Sequence, residues 1–455
     1  MHGSNISVFD STLYSPLFTQ ADMKQVWSDE NLIQTWLTLE VSMAKVQAEL
    51  GLIPQQAVAS IEQVCDLKNV DWLRLSQDTQ VVGMAIKPLV DQLSDMGDEY
   101  VKKYLHWGGT TQDLLDTSLA MRVKQSLNII RQQLLALGEQ LKLMALAHRN
   151  TVMVARTNSM DALPTTWGLY VSSYLQEVTR HLIRLDQLYA RATTGMYGGA
   201  IGNFSSIGEQ GLEVRKGLFV ELGLNEPKGF GNASCDHIVE LVQFFALIHG
   251  TLCRIANDTE MMGRVSIGEV REGEGGGGSS TMPHKANPRA ANMIKTLSRM
   301  GWMYASGAPS LMDQMDVRSA SMRVLSWSLI PEASLAVATS LERAERLIAH
   351  LIVNEERMLA NFADSRNFIM SEAVMMKAAE KVGRGDGYQQ LKKAIANAPD
   401  SGDLATVLKQ NKEVSAILTA EEIDAACDPK NYLGCNDALL DEAVELFSCK
   451  VLSDE

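Results

Sequence analysis

Apolar residues recur along this chain at alternating spacings of four and three. Val123, Leu127, Ile130, Leu134, Leu137 and Leu141 fall on one side of a helix with 3.6 residues per turn. Leu241, Phe245, Ile248, Leu252 and Ile255 repeat the pattern, and Leu335, Ala338, Leu341, Ile348 and Ile352 form a related stripe. A narrow stripe sustained this long predicts helices packed lengthwise, in a bundle or an oligomer seam. Proline placement agrees, because residues 89–163, 165–226 and 228–282 contain none and leave room for uninterrupted helices. An earlier helix is expected over residues 32–50, with Asp29 as its N-cap and Gly51 and Pro54 stopping it. Pro331 is expected in the first turn of another helix, where proline is tolerated. Strict polar–apolar alternation between hairpin signals is nearly absent. The expected fold is therefore all-α, without a large sheet.

Composition narrows the function class. The 455 residues are 46% hydrophobic, enough for a large core, and length suggests two to four domains or one extended assembly. A net charge of −14 argues against general affinity for nucleic acid, although a local Arg and Lys cluster can still attract a small anion. The six cysteines show no CxxC spacing, which suits free thiols in a reducing compartment. The first ten residues lack the basic and apolar regions of a signal peptide. No run of 18 apolar residues suggests a membrane span. The protein is expected in the cytoplasm. No His, Asp and Glu cluster has metal-ligand spacing, so no metal and no cofactor are expected.

The most chemically suggestive segment follows the glycine run at Gly273, Gly275, Gly276, Gly277 and Gly278. It reads Gly278-Ser279-Ser280-Thr281-Met282-Pro283-His284-Lys285-Ala286-Asn287-Pro288. Glycines let a backbone approach a ligand closely, and successive free N–H groups form an anion-binding nest. Lys285 adds charge and Asn287 an amide, so the loop can stabilise an oxyanion developing on a carboxylate. The alternative is a solvated linker, and the fixed offsets of the serines, lysine and asparagine weigh against it.

This segment resembles the signature loop of the fumarase/aspartase superfamily, Gly-Ser-Ser-x-Met-Pro-x-Lys-x-Asn-Pro. Two more segments match in order. Leu105-His106-Trp107-Gly108-Gly109-Thr110-Thr111-Gln112-Asp113 is similar to a family segment that binds a substrate carboxylate, although Thr or Asp here can equally cap the following helix. Ala155-Arg156-Thr157-Asn158 with Pro164-Thr165-Thr166 resembles the second region, and Arg318-Ser319 lies where the family has a substrate-facing pair. Among branches the chain looks closest to the 3-carboxy-cis,cis-muconate cycloisomerases and adenylosuccinate lyases. The resemblance implies a three-domain protomer with a long central helical bundle, divided near 1–109, 110–355 and 356–455. It also implies a homotetramer with active sites shared between chains. Ser279 is the implied base, with Lys285 and Asn287 holding the intermediate. Thr110, Thr111, Gln112, Arg156, Thr157, Asn158, Ser280, Met282 and Arg318 are the implied substrate contacts, and the substrate is a small anionic di- or tricarboxylate.

Four positions depart from the pattern. Asn158 replaces a histidine, and an amide cannot protonate a leaving group. Residues 81–86 lack the His-Asp pair of adenylosuccinate lyases. Cys235-Asp236-His237 replaces an Arg-Asp-Arg run, making His237 a candidate acid or substrate contact. Ala286 replaces an arginine, and losing such bidentate forks changes which anion fits. His106 and His284 are expected near a ligand; His2, His148, His181, His249 and His350 are expected to be structural. Three functions follow. The first is β-elimination from a succinyl-type substrate, releasing fumarate or an analogue. The second is isomerisation through the same intermediate, as a cycloisomerase or epimerase. The third is a catalytically silent helical scaffold.

Overall fold

The stripes read from the sequence lie on long helices. The computed structural model describes residues 7–231, 233–273, 277–278, 281–399 and 401–452. Six long helices dominate: α1 (Asp29–Glu49), α2 (Thr111–Ala147), α3 (Trp167–Ala192), α4 (Asp236–Met262), α5 (Arg289–Gly307) and α6 (Ala320–Ala349). Val123, Leu127, Ile130, Leu134, Leu137 and Leu141 on α2 are all fully buried. Each such side chain contributes roughly 2 kcal/mol through removal from water. Among the described residues, strands occur only as three antiparallel pairs: β1 (Val152–Thr157) with β2 (Met160–Thr166), β3 (Val270–Glu272) with β6 (Leu351–Val353), and β4 (Gly277–Gly278) with β5 (Ala286–Asn287). The fold is all-α.

Three local expectations are corrected. Asp29 is the first residue of α1; Ser28 caps it, its hydroxyl accepting from the Asn31 N–H at 3.2 Å. Pro331 lies inside α6 rather than at its start. The flanking residues Leu329, Ile330, Ala333 and Ser334 are buried, so packing holds the helix through the hydrogen bond that proline cannot donate. Ile352 leaves its stripe because the chain switches to β6 after Ala349. Helices α4 and α6 are long and apolar enough to cross a membrane, yet 61% of the most apolar stretch of each is buried inside the protein.

The chain divides into two compact units. The first comprises 1–133, 182–250 and 296–341; the second comprises 134–181, 251–295 and 342–455. Helices α2 to α6 each contribute a stretch to both. In the first unit, α1 packs Trp36, Leu37, Leu39 and Met43 into a core completed by Leu89, Leu93, Leu114, Leu218 and Phe219. In the second unit, short helices between Ser371 and Cys427 enclose Val374, Leu391, Leu404, Leu408 and Ile423. There also, Phe447 sits where a Cβ on Gly138 would fall 2.2 Å from its ring, so the last helix (Asn436–Leu452) needs glycine on α2 at that point.

Candidate active site

The segment 105–113 is clamped before it reaches any ligand. His106 adopts φ 60°, Gly108 φ 70°. A Cβ on Gly108 would meet Ile207 at 2.7 Å, so the turn requires glycine. The Gln47 amide donates to the Trp107 carbonyl at 2.8 Å, and Glu40, itself buried, accepts from the His106 N–H at 3.1 Å. Asp113 is buried and accepts from the N–H groups of Thr110, Gly198 and Gly199 at 3.0, 2.9 and 3.0 Å. Burial outweighs those donors and raises its pKa to about 7. His106 and Asp113 therefore hold the loop in shape.

What this platform presents is Gln112, one residue into α2 and 7% exposed. Its amide donates to Asp116 Oδ1 at 2.6 Å. Asp116 is also ion-paired with Arg323 of α6. Burial raises the Asp116 pKa, and Arg323, Gln112 and then Arg318 offset it in part. Arg318 Nη1 is buried with no hydrogen-bond partner among the described residues. Gln314 ties the neighbouring chain together, accepting from the Ser319 N–H at 2.9 Å and donating to Cys235 Sγ at 3.7 Å. His237 lies in the first turn of α4. Burial lowers its pKa, and the Arg323 charge adds to the effect against Asp236 and Glu240, so the imidazole is neutral at pH 7.

Gln112, Asp116, His237 and Arg323 line one cavity of about 600 Å³ within the first unit. Its other walls include Trp27, Trp36, Phe230 and Trp327. Cationic forks with an amide, beside a neutral imidazole, can bind a carboxylate and move a proton at neutral pH. Asp116 and Arg323 were not singled out in the sequence. Asp116 had a signal, standing four residues after Gln112 on the same helix face. Arg323 had none beyond its closeness to Arg318.

Thr110 and Thr111, half-buried at the start of α2, also lie in the first unit; the remaining candidates belong to the second. Arg156 extends from β1 and donates twice to Glu269, at 2.8 and 2.7 Å, and once to Asp161 at 3.0 Å. Glu269 is fully buried and also accepts from Asn361 at 2.6 Å. The guanidinium thus braces the β1–β2 hairpin. Thr157 and Asn158 are exposed at its tip. Asn158 and Ser159 have φ of 51° and 65°, the pair of positive angles of a type I′ turn, which favours asparagine at the first place. In the signature loop, β4 and β5 pair Gly277 with Asn287 and Gly278 with Ala286. The Lys285 N–H donates to the Met282 carbonyl at 3.0 Å. Met282 and Lys285 are exposed and Asn287 half-buried. Ser279 and Ser280 lie outside the described residues. After the loop, Glu272 accepts from the N–H groups of Ala290 and Ala291 at 3.1 and 2.9 Å, countering the positive end of α5.

A family model described as Lyase matches residues 15–300, and one described as Adenylosuccinate lyase C-terminus matches residues 367–443. The chain belongs to the fumarase/aspartase superfamily. It is an enzyme of the lyase or cycloisomerase kind, and superfamily members act on small carboxylates. It is 33% identical to trans-aconitate decarboxylase 1 of Mycosarcoma maydis, over 92% of this chain and 86% of that one. It is 30% identical to N-acetyl-S-(2-succino)cysteine lyase of Dickeya dadantii, over 96% and 98%. The solved 3-carboxy-cis,cis-muconate lactonizing enzyme from Pseudomonas putida superposes with a TM-score of 0.91 at 29% identity, covering 97% of this superfamily member and 100% of that chain.

Proposed function

We propose that this enzyme eliminates the β substituent of a succinyl-type substrate and releases fumarate or a close analogue. Ser279 takes the proton from the carbon next to a carboxylate. Lys285, Asn287 and loop amides, including that of Ser280, stabilise the resulting aci-carboxylate. Gln112, Arg318 and His237 hold the substrate's carboxylates, with Thr110, Thr111, Thr157, Asn158 and Met282 completing the contacts; Arg156 contributes by bracing its hairpin. The observation that carries the reading is the buried Arg318 Nη1, without an acceptor among the described residues, whose charge acts through space on Asp116 of the Asp116–Arg323 pair. A buried guanidinium nitrogen of this kind is satisfied by a substrate carboxylate.

A second reading is isomerisation, as a cycloisomerase or epimerase. The neutral His237 favours it, because a neutral imidazole can accept and return a proton. Full-length similarity to the lactonizing enzyme supports the same branch. In either reading the enzyme works as a homotetramer with active sites shared between chains. The division at 1–109, 110–355 and 356–455 is that of such a protomer. Six free thiols suit the cytoplasm, and the net charge of −14 suits a small-molecule enzyme rather than a nucleic-acid binder.

The test is fumarate release, followed by ultraviolet absorbance, from a panel of N- and S-substituted succinates. Elimination predicts release by the wild type and a loss of at least a hundredfold in Ser279→Ala. Unchanged turnover in that variant overturns the base assignment. Deuterium wash-in without fumarate supports isomerisation instead. A monomer in light scattering overturns the shared-site assembly.

A further inference from the structure

Arg122 lies on the cavity wall and takes no part in the chemistry above. It shares a face of α2 with Gln112 and Asp116, and residues 112, 116, 119 and 122 all line the cavity. Its guanidinium packs over the Trp27 ring, 4.8 Å from the centroid. Its Nε reaches the Ser118 carbonyl only at 3.4 Å. Among the described residues no carboxylate comes within ion-pair distance, and Asp29 acts on it only through space. The side chain is half-buried, and burial pulls its pKa down to about 10, so it stays charged at neutral pH. A partly desolvated cation facing a cavity without a counter-charge favours a ligand that supplies one.

The helix supplies a ruler. At 1.5 Å rise per residue, Arg122 stands about 15 Å along α2 from Gln112 and about 9 Å from Asp116. The walls between are apolar, with Leu115, Leu119 and Trp36 among them. We propose that Arg122 is a distal anchor for a second anionic group of the substrate, carried at the far end of an elongated, largely apolar substituent. This rests on the carboxylate subsite at Gln112 and Arg318 proposed above. The substrate class is then a succinyl compound whose β substituent ends in a carboxylate or similar anion. A compact di- or tricarboxylate spans too little of the cavity to reach both ends. Arg122 thereby sets specificity and leaves the bond-breaking step to other groups.

The test is calorimetric titration of the full-length protein with succinate, adipate, suberate and sebacate, and with octanoate as the one-headed match for suberate. The wild type is expected to bind suberate or sebacate at least tenfold more tightly than succinate. Arg122→Met is expected to lose that gain while binding succinate within twofold of the wild type. Octanoate is expected to bind both proteins equally, and Arg122→Lys is expected to keep part of the gain. Thermal melting checks that the variants fold. If Arg122→Met does not fold, Arg122→Lys and the suberate-to-octanoate ratio of the wild type decide. A wild type with no length preference, or a variant that keeps it, overturns the proposal. These ligands need no turnover, so the outcomes separate. A length preference lost in Arg122→Met with no fumarate from any succinate keeps the anchor and removes the elimination reading. Fumarate release without a length preference does the reverse.

Discussion

His106 Nδ1 lies 2.6 Å from Glu40 Oε1, and Glu40 also accepts the His106 main-chain N–H. Burial alone would lower the His106 pKa, but the charge and hydrogen bond of Glu40 outweigh it and the net shift is upward. The folded value thus exceeds the unfolded one. The pair's contribution to stability is full below pH 6.5 and is lost as pH rises through the raised value. Nuclear magnetic resonance titration should show His106 above 6.5 in the wild type and below it in Glu40→Gln, where burial acts without the counter-charge. An unchanged His106 titration in Glu40→Gln would show that the pair does not set it.

His249 carries the opposite sign. It is fully buried, and neither ring nitrogen has a hydrogen-bond partner among the described residues. Burial lowers its pKa to about 3. Stability is full above the unfolded pKa of 6.5 and falls as pH drops from there toward 3, because only the unfolded chain takes up the proton. Urea melts of the wild type should weaken across this window, and His249→Leu should flatten the slope.

Arg156 to Glu269 joins a half-buried guanidinium to a fully buried carboxylate, and its removal is asymmetric. Arg156→Met leaves a fully buried carboxylate with only the Asn361 amide, and should cost about 3 kcal/mol in a denaturant melt. The double variant Arg156→Met with Glu269→Gln should recover part of that loss. Equal stability of wild type and Arg156→Met would show that the guanidinium is not a brace.

At the hairpin tip, Ser159 holds φ 65° without being glycine. Ser159→Gly should stabilise the protein by about 1 kcal/mol, since a left-handed residue with a Cβ carries a penalty of roughly that size. Asn158→Gly should keep the turn. Its kcat/KM then reports whether the amide serves anything beyond the backbone.

Much of this protein is legible without coordinates, for a definite reason. Helical periodicity and contiguous loop motifs are local, so Val123 to Leu141 announce a buried face and the 278–288 loop announces its family. The helix around Pro331 departs from the local rule about proline because packing on both sides of the residue overrides it. The roles of Arg156, Asp116 and Arg122 depended on which faces meet. Arg156 meets Glu269 across 113 positions, and Asp116 meets Arg323 across 207. No spacing rule reaches that far. The sequence by itself determined an all-helical superfamily member that carries the family's signature loop. Only the tertiary structure decided that the second-region arginine braces a hairpin while a different arginine faces the cavity. Partners are chosen by burial, because a buried charge must be matched by whatever the fold brings beside it.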